Sequence, residues 1–109
     1  MTTENQFAEN QPGSAAIVLR IEGEMTIYRA EELKQTVLAA LVPGALLEVD
    51  LAAVSELDTA GVQILMLAKR HAQAMQCDLR LVAHSPAVLE VFELLNLTAY
   101  FGDPLVMSS

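Results

Sequence analysis

An α/β fold is what this sequence predicts: one small domain, with a mixed, mostly parallel sheet of four to five strands and about three helices packed on it. Three observations carry that expectation. Short aliphatic runs alternate with amphipathic runs of helical period, the order that builds parallel sheets through helical crossovers. The chain has 109 residues, enough for one core and too few for two. Hydrophobic residues make up 53%, whereas aromatics are only 5% and Trp is absent, so the core is aliphatic.

Residues 1–14, rich in Asn, Gln, Glu, Gly and Pro, read as a flexible lead with a short edge strand around Phe7, and the domain proper as 15–109. Ala15 to Ile21 is a strand, ended by a turn at Glu22-Gly23-Glu24. Tyr28 to Leu41 carries Ala30, Leu33, Val37, Leu38 and Leu41 at helical spacing. Thr26 is the expected cap, Glu31 and Glu32 suit the positive helix end, and Pro43-Gly44 stops it. Leu46 to Leu51 is the next strand, followed by a polar loop at Ser55-Glu56 and a helix over Val62 to Gln76. Val62, Leu65, Ala68, Ala72 and Met75 form its inward stripe. Ile64, Leu67 and His71 form a second stripe about 100° round the helix, covered by a neighbouring element or left as a docking surface. Asp78 to Ala83 alternates as a strand. Ser85 and Pro86 open a helix with Val88, Leu89, Phe92 and Leu95 inward and Asn96 as its stop. Thr98 to Phe101 reads as a last short strand, before a turn at Gly102-Asp103-Pro104 and an apolar tail, Leu105 to Met107.

The net charge is −8, and the six basic residues are scattered except for Lys69-Arg70. Nucleic-acid binding needs a basic footprint and an anionic membrane surface attracts one, so both are disfavoured. The single cysteine, Cys77, excludes a disulfide within the chain and fits a reducing compartment as a buried residue. The acidic, polar start has neither the basic end nor the apolar run of a signal peptide, and no segment nears the ~18–20 apolar residues of a membrane span. A cytoplasmic protein without membrane insertion is expected.

The stretch from Leu47 to Gln63 is where chemistry concentrates. Asp58-Thr59-Ala60-Gly61 stands just before a helix, where backbone N–H groups lack partners and the dipole is positive. Asp or Thr can cap such a helix, and a phosphate on Thr59 would sit where anions are favoured. Asp50 and Asp58 could contribute to a metal set only with a third carboxylate, which is not evident; each is better explained as a partner for backbone N–H groups. His71 and His84 belong to no spaced metal motif and read as surface residues. Glycine-rich phosphate loops and nucleophile elbows are absent, so no catalytic role, metal or cofactor is expected.

Four pieces of the chain, in order, resemble the STAS domain family, the module of anti-sigma factor antagonists and sulfate-transporter tails, over about Ala15 to Phe101. They are Ile21-Glu22-Gly23-Glu24-Met25, Glu48-Val49-Asp50-Leu51 with Val54, Leu57-Asp58-Thr59-Ala60-Gly61-Val62, and His84-Ser85-Pro86-Ala87-Val88 running through Phe92 to Leu97. The third resembles the family's Asp-Ser/Thr-Ser/Ala-Gly-Leu signature. In the antagonist branch the residue after that Asp is phosphorylated by a kinase that is also the anti-sigma factor. The resemblance therefore implies a phosphoacceptor at Thr59, a kinase and a phosphatase as partners, and release of the kinase on phosphorylation. It places the partner surface or phosphate surroundings at Asp50, Asp58, Ala60, Gly61, Val62, Gln63, Ile64 and Leu67, with Glu24 and Thr26 from the first turn. A homodimer is left open. Other stand-alone members are accessory subunits of signalling or chemotaxis arrays or of an ABC lipid transporter, with Thr59 then a plain interface residue. Three departures stand out: Thr26 where the family often has Asp, Asn96 where it often has Gly, and a short stretch after Phe101 in place of a terminal helix. Asn also adopts the left-handed cap conformation. The short stretch leaves apolar sheet surface for Leu105 to Met107 or a partner to cover.

Overall fold

A computed structural model describes residues 16–101. The order is β1 (Ala16–Met25), a 3-10 turn (Ile27–Arg29), α1 (Ala30–Ala39), β2 (Leu46–Leu57), α2 (Thr59–Met75), β3 (Asp78–Val82), α3 (Pro86–Leu95) and a single helical turn, α4 (Thr98–Phe101). The expected edge strand around Phe7, the turn at 102–104 and the tail after it lie outside the described residues.

The α/β architecture is as expected, with all described pairing parallel. The sheet has three described strands in the order β1-β2-β3, fewer than the four to five expected. One shortfall is Thr98 to Phe101, which closes as a helical turn: the Phe101 N–H donates to the Leu97 carbonyl at 3.1 Å. Phe101 thereby stacks on Phe92, with ring centroids 5.3 Å apart, and Lys69 Nζ donates to its carbonyl at 3.1 Å. An extended chain would forgo that packing.

Both β1 and β2 run longer than expected, and for one reason. Their register shifts between Arg20 and Glu22 and again between Gly23 and Glu24, each time with one extra residue in β2. These bulges bend the pair without ending it. Gly23, at φ +85°, supplies the bend in β1, and Arg29 Nη1 donates to the Glu22 and Glu24 carbonyls on either side at 2.7 and 2.8 Å. Glu22-Gly23-Glu24 is therefore a kink inside a strand, not a turn. Ser55 and Glu56 likewise belong to β2, with Glu56 opposite Glu24.

Odd-numbered residues of β2, Leu47, Val49 and Leu51, are fully buried, whereas Leu46, Glu48 and Asp50 are half-exposed. Helices therefore cover one face of the sheet. Burying each such side chain is worth about 2 kcal/mol. Leu33 and Val37 of α1, Val62, Leu65, Ala68 and Ala72 of α2, and Val88 and Phe92 of α3 complete a single cluster. Leu95, expected inward, is largely exposed. Gln76 and Asn96 end α2 and α3 in the left-handed conformation, at φ 60° and 57°. Cys77 is buried as expected. His84, expected at the surface, is 1% exposed and stands edge-on to Phe92, centroids 5.6 Å apart, so its ring is part of the core. His71 is exposed.

Candidate functional site

The carboxyl ends of β1 and β2 meet at one rim of the sheet, and Asp58 joins them. Its backbone is extended, and its carbonyl accepts the first helical bond, from Val62 N–H at 3.0 Å. Its Oδ1 accepts from Gly61 N–H at 3.0 Å, the N-cap bond of α2. Its Oδ2 accepts from Ile27 N–H at 3.0 Å, across 31 residues of sequence. One carboxylate thus starts a helix and pins the 3-10 turn beside it, and the Asp58 N–H returns a bond to the Met25 carbonyl at 3.2 Å. Burial, the largest single influence, pushes the Asp58 carboxyl up. The N–H groups of Gly61, Ile27, Ala60 and Asp58 itself together hold it below its ordinary value.

Gly61 is required by closeness. A Cβ there would lie 2.3 Å from the Met25 carbonyl oxygen and 2.6 Å from Leu57 Cδ1. The first turn of α2 sits directly on the end of β1 because residue 61 has no side chain.

Thr59 is the first residue of α2 and is exposed. Asp58 performs the capping, so the Thr59 hydroxyl has no structural duty among the described residues. On one side of it a depression of about 230 Å³ lies between α1 and α2, lined by Ile27, Ala30, Glu31, Lys34, Ala60, Gln63, Ile64 and Leu67. On the other a depression of about 280 Å³ is lined by Thr26, Ser55 to Asp58, Ala87, Glu90 and Val91. Thr26 is buried; its Oγ1 donates to Glu24 Oε1 at 3.0 Å and accepts from Tyr28 N–H at 3.4 Å. It caps the 3-10 turn, while α1 itself starts at Ala30.

Of the residues expected here, Glu24, Thr26, Asp58, Thr59, Ala60, Gln63, Ile64 and Leu67 come together. Gly61 and Val62 are buried and serve the scaffold. Asp50 stands apart. It lies mid-strand between Arg20 and Val82, roughly 20–25 Å of strand from Asp58. Its Oδ1 accepts from Ala52 N–H at 2.9 Å, at the first bulge of β2. The second stripe of α2 divides: α1 covers Ile64, Leu67 is half-buried at the groove, and His71 is exposed.

Two residues escaped the sequence reading, Ile27 and Tyr28 of the 3-10 turn that Asp58 pins, which are 63% and 87% exposed. Two large apolar side chains directly after a capping Thr were the available signal; helical periodicity absorbed Tyr28 into α1 and left Ile27 unassigned. Among the described residues no group of three or more His, Cys, Asp or Glu side chains is placed to hold a metal ion. No described helix is long and apolar enough to cross a membrane.

A parallel sheet with its helices on one face and a capped, hydroxyl-bearing helix start at its rim defines a STAS-type domain. The family model described as "Mlab, STAS domain" matches residues 9–106, and the chain belongs to the STAS domain family. Among solved structures, the unphosphorylated form of the anti-sigma factor antagonist SpoIIAA is similar, with a TM-score of 0.66 and 21% identity. The match covers 84% of this chain and 80% of that one. At that identity the likeness establishes the fold. The comparison with curated proteins found no match.

Proposed function

We propose that this chain is a non-catalytic protein-binding switch, with Thr59 as its phosphoacceptor and a serine/threonine kinase of the anti-sigma type as its partner, restored by a phosphatase. The observation that carries this is the division of labour at α2: Asp58 caps the helix with both carboxylate oxygens engaged, which leaves the adjacent Thr59 hydroxyl exposed and free of structural duty. Unmodified, the rim offers the apolar residues Ile27 and Tyr28 and the groove ending at Leu67. A phosphate at Thr59 adds about −1.5 to −2 charge beside the carboxylates of Asp58, Glu24 and Glu56. A partner that closes over this rim must then desolvate the new anion and hold it near like charges, so it dissociates. The helix start tolerates the anion, so the fold persists.

The test is the intact mass of the protein from its native host, with and without phosphatase, with the modified residue mapped by fragmentation. Phosphate at Thr59 in part of the population is the expected result. Phosphate at another residue overturns the assignment, and none under several growth conditions overturns the switch. A second reading is favoured by Ile27 and Tyr28, whose exposed apolar surface suits a constitutive interface. The chain would then be an accessory subunit of a transporter ATPase or a signalling array, and would co-purify with it whatever the state of Thr59.

A further inference from the structure

The flank of α3 next to the site combines a partly exposed apolar stripe with an acid-lined depression. Ala87, Val91 and Leu94 recur at helical spacing on one side of the helix, about 100° from the buried pair Val88 and Phe92. Leu94 is 79% exposed. The upper end of this stripe opens into the 280 Å³ depression that Asp58 also lines, so it is continuous with the rim that carries Thr59. Glu56, Asp58 and Glu90 line the same depression, and none of its lining residues is basic.

We infer that this face is a second docking surface, and that its occupant is a cationic amphipathic helix of the protein partner. It rests on the chain being a protein-binding module and extends the contact surface beyond Thr59. The helix sets apolar residues on Ala87, Val91 and Leu94 and places a Lys or Arg in the acid-lined depression, where charge complementarity fixes its register. A second copy of this chain suits the face poorly. It carries a net charge of −8 and would bring acids to acids. The chain's own residues 102–109 include no basic residue, so they cannot complement the depression either.

The probe is a synthetic helical peptide of roughly 16 residues, with Leu on one face and Lys on the others; a Glu-for-Lys version and a scrambled version are the controls. Backbone amide shifts of the full chain are followed during titration. The expected result is perturbation of Ala87 to Leu94 and of Ser55 to Leu57, with affinity about tenfold weaker for Leu94→Asp and for Glu90→Lys. Both residues are exposed, so the variants fold. Affinity also falls about tenfold from low salt to 0.5 M salt. Perturbation confined to the α1–α2 groove, equal binding of either control, or shifts that follow protein concentration without peptide, as for self-association, each overturn the proposal. Thr59 enters none of these readouts, so their failure leaves the phosphate reading standing, and its failure leaves them intact.

Discussion

Helices α2 and α3 both begin at the carboxyl rim of the sheet, and they begin differently. Helix α3 is started by Ser85, 2% exposed, whose Oγ accepts from Val88 N–H at 3.2 Å, and the next residue is Pro86. The cap is neutral, uses one acceptor and leads into a residue that has no N–H and no functional side chain. Helix α2 is started by Asp58, whose two oxygens serve two elements, and the next residue is a hydroxyl in the open. A cap can thus be only a stop for orphan N–H groups, or it can be the joint that holds an exposed hydroxyl-bearing neighbour in a fixed place. Of the two, only α2 has the second property, which is why the proposed switch is placed at Thr59 and not at Ser85.

The largest expected effect breaks the joint from below. Gly61→Ala forces a Cβ into the Met25 carbonyl and Leu57, both of which are tightly placed. It should destabilise the fold by about 3 kcal/mol, read by urea denaturation. The corresponding third residue of α3, Val88, already has a side chain and lies in the core. A loss under 1 kcal/mol would mean that α2 can lift off β1 freely.

Next come the caps themselves. Asp58→Ala removes the cap and the tie to Ile27, and should cost about 2 kcal/mol; Ser85→Ala removes one acceptor and should cost about 1 kcal/mol. Equal costs would show that the Ile27 bond adds nothing. The pH dependence sharpens the distinction. The folded Asp58 carboxyl is held below its ordinary value, so the unfolded chain binds that proton first as pH falls. Its contribution is complete above the unfolded value of about 3.9 and is lost as pH drops through the folded one. Tm measured from pH 6 to about 2.5 should therefore converge for the parent and Asp58→Asn at the acid end. Parent and Ser85→Ala should stay parallel.

Much of this contrast is legible in the sequence alone. The signature Asp58-Thr59-Ala60-Gly61, the Ser85-Pro86 start and the Asn96 stop are local, and capping chemistry acts within a turn. Less legible was whatever depends on a distant partner. Glu22-Gly23-Glu24 looks like a turn until Arg29 is seen to donate to both flanking carbonyls, and Ser55-Glu56 looks like a loop until Glu24 pairs opposite. Reading β2 as ending at Leu51 put Asp50 near the site; the two bulges extend the strand by six residues and leave it behind. His84 reads as a surface residue because histidine usually is one, while its T-shaped packing with Phe92 keeps it inside. Ile27 and Tyr28 show the opposite failure: helical periodicity takes Tyr28 into α1, and only two large side chains directly after the capping Thr26 signal that the helix starts late.

The smallest expected effect tests whether Thr59 is as idle structurally as the comparison requires. Thr59→Ala removes a hydroxyl that caps nothing, at an exposed first-turn position where Ala is a good helix former. Its unfolding free energy should stay within about 0.5 kcal/mol of the parent. Thr59→Asp should also stay close, because the helix dipole favours the added charge while the neighbouring Asp58 carboxylate opposes it. A cost above 1 kcal/mol for Thr59→Ala would assign the hydroxyl to the scaffold and remove the reason to look for phosphate there. A near-zero cost, set beside the losses at Asp58 and Gly61, leaves Thr59 held in place by its neighbours and contributing nothing to stability itself. That is the condition a residue must meet if its modification is to change what the surface binds without changing the fold.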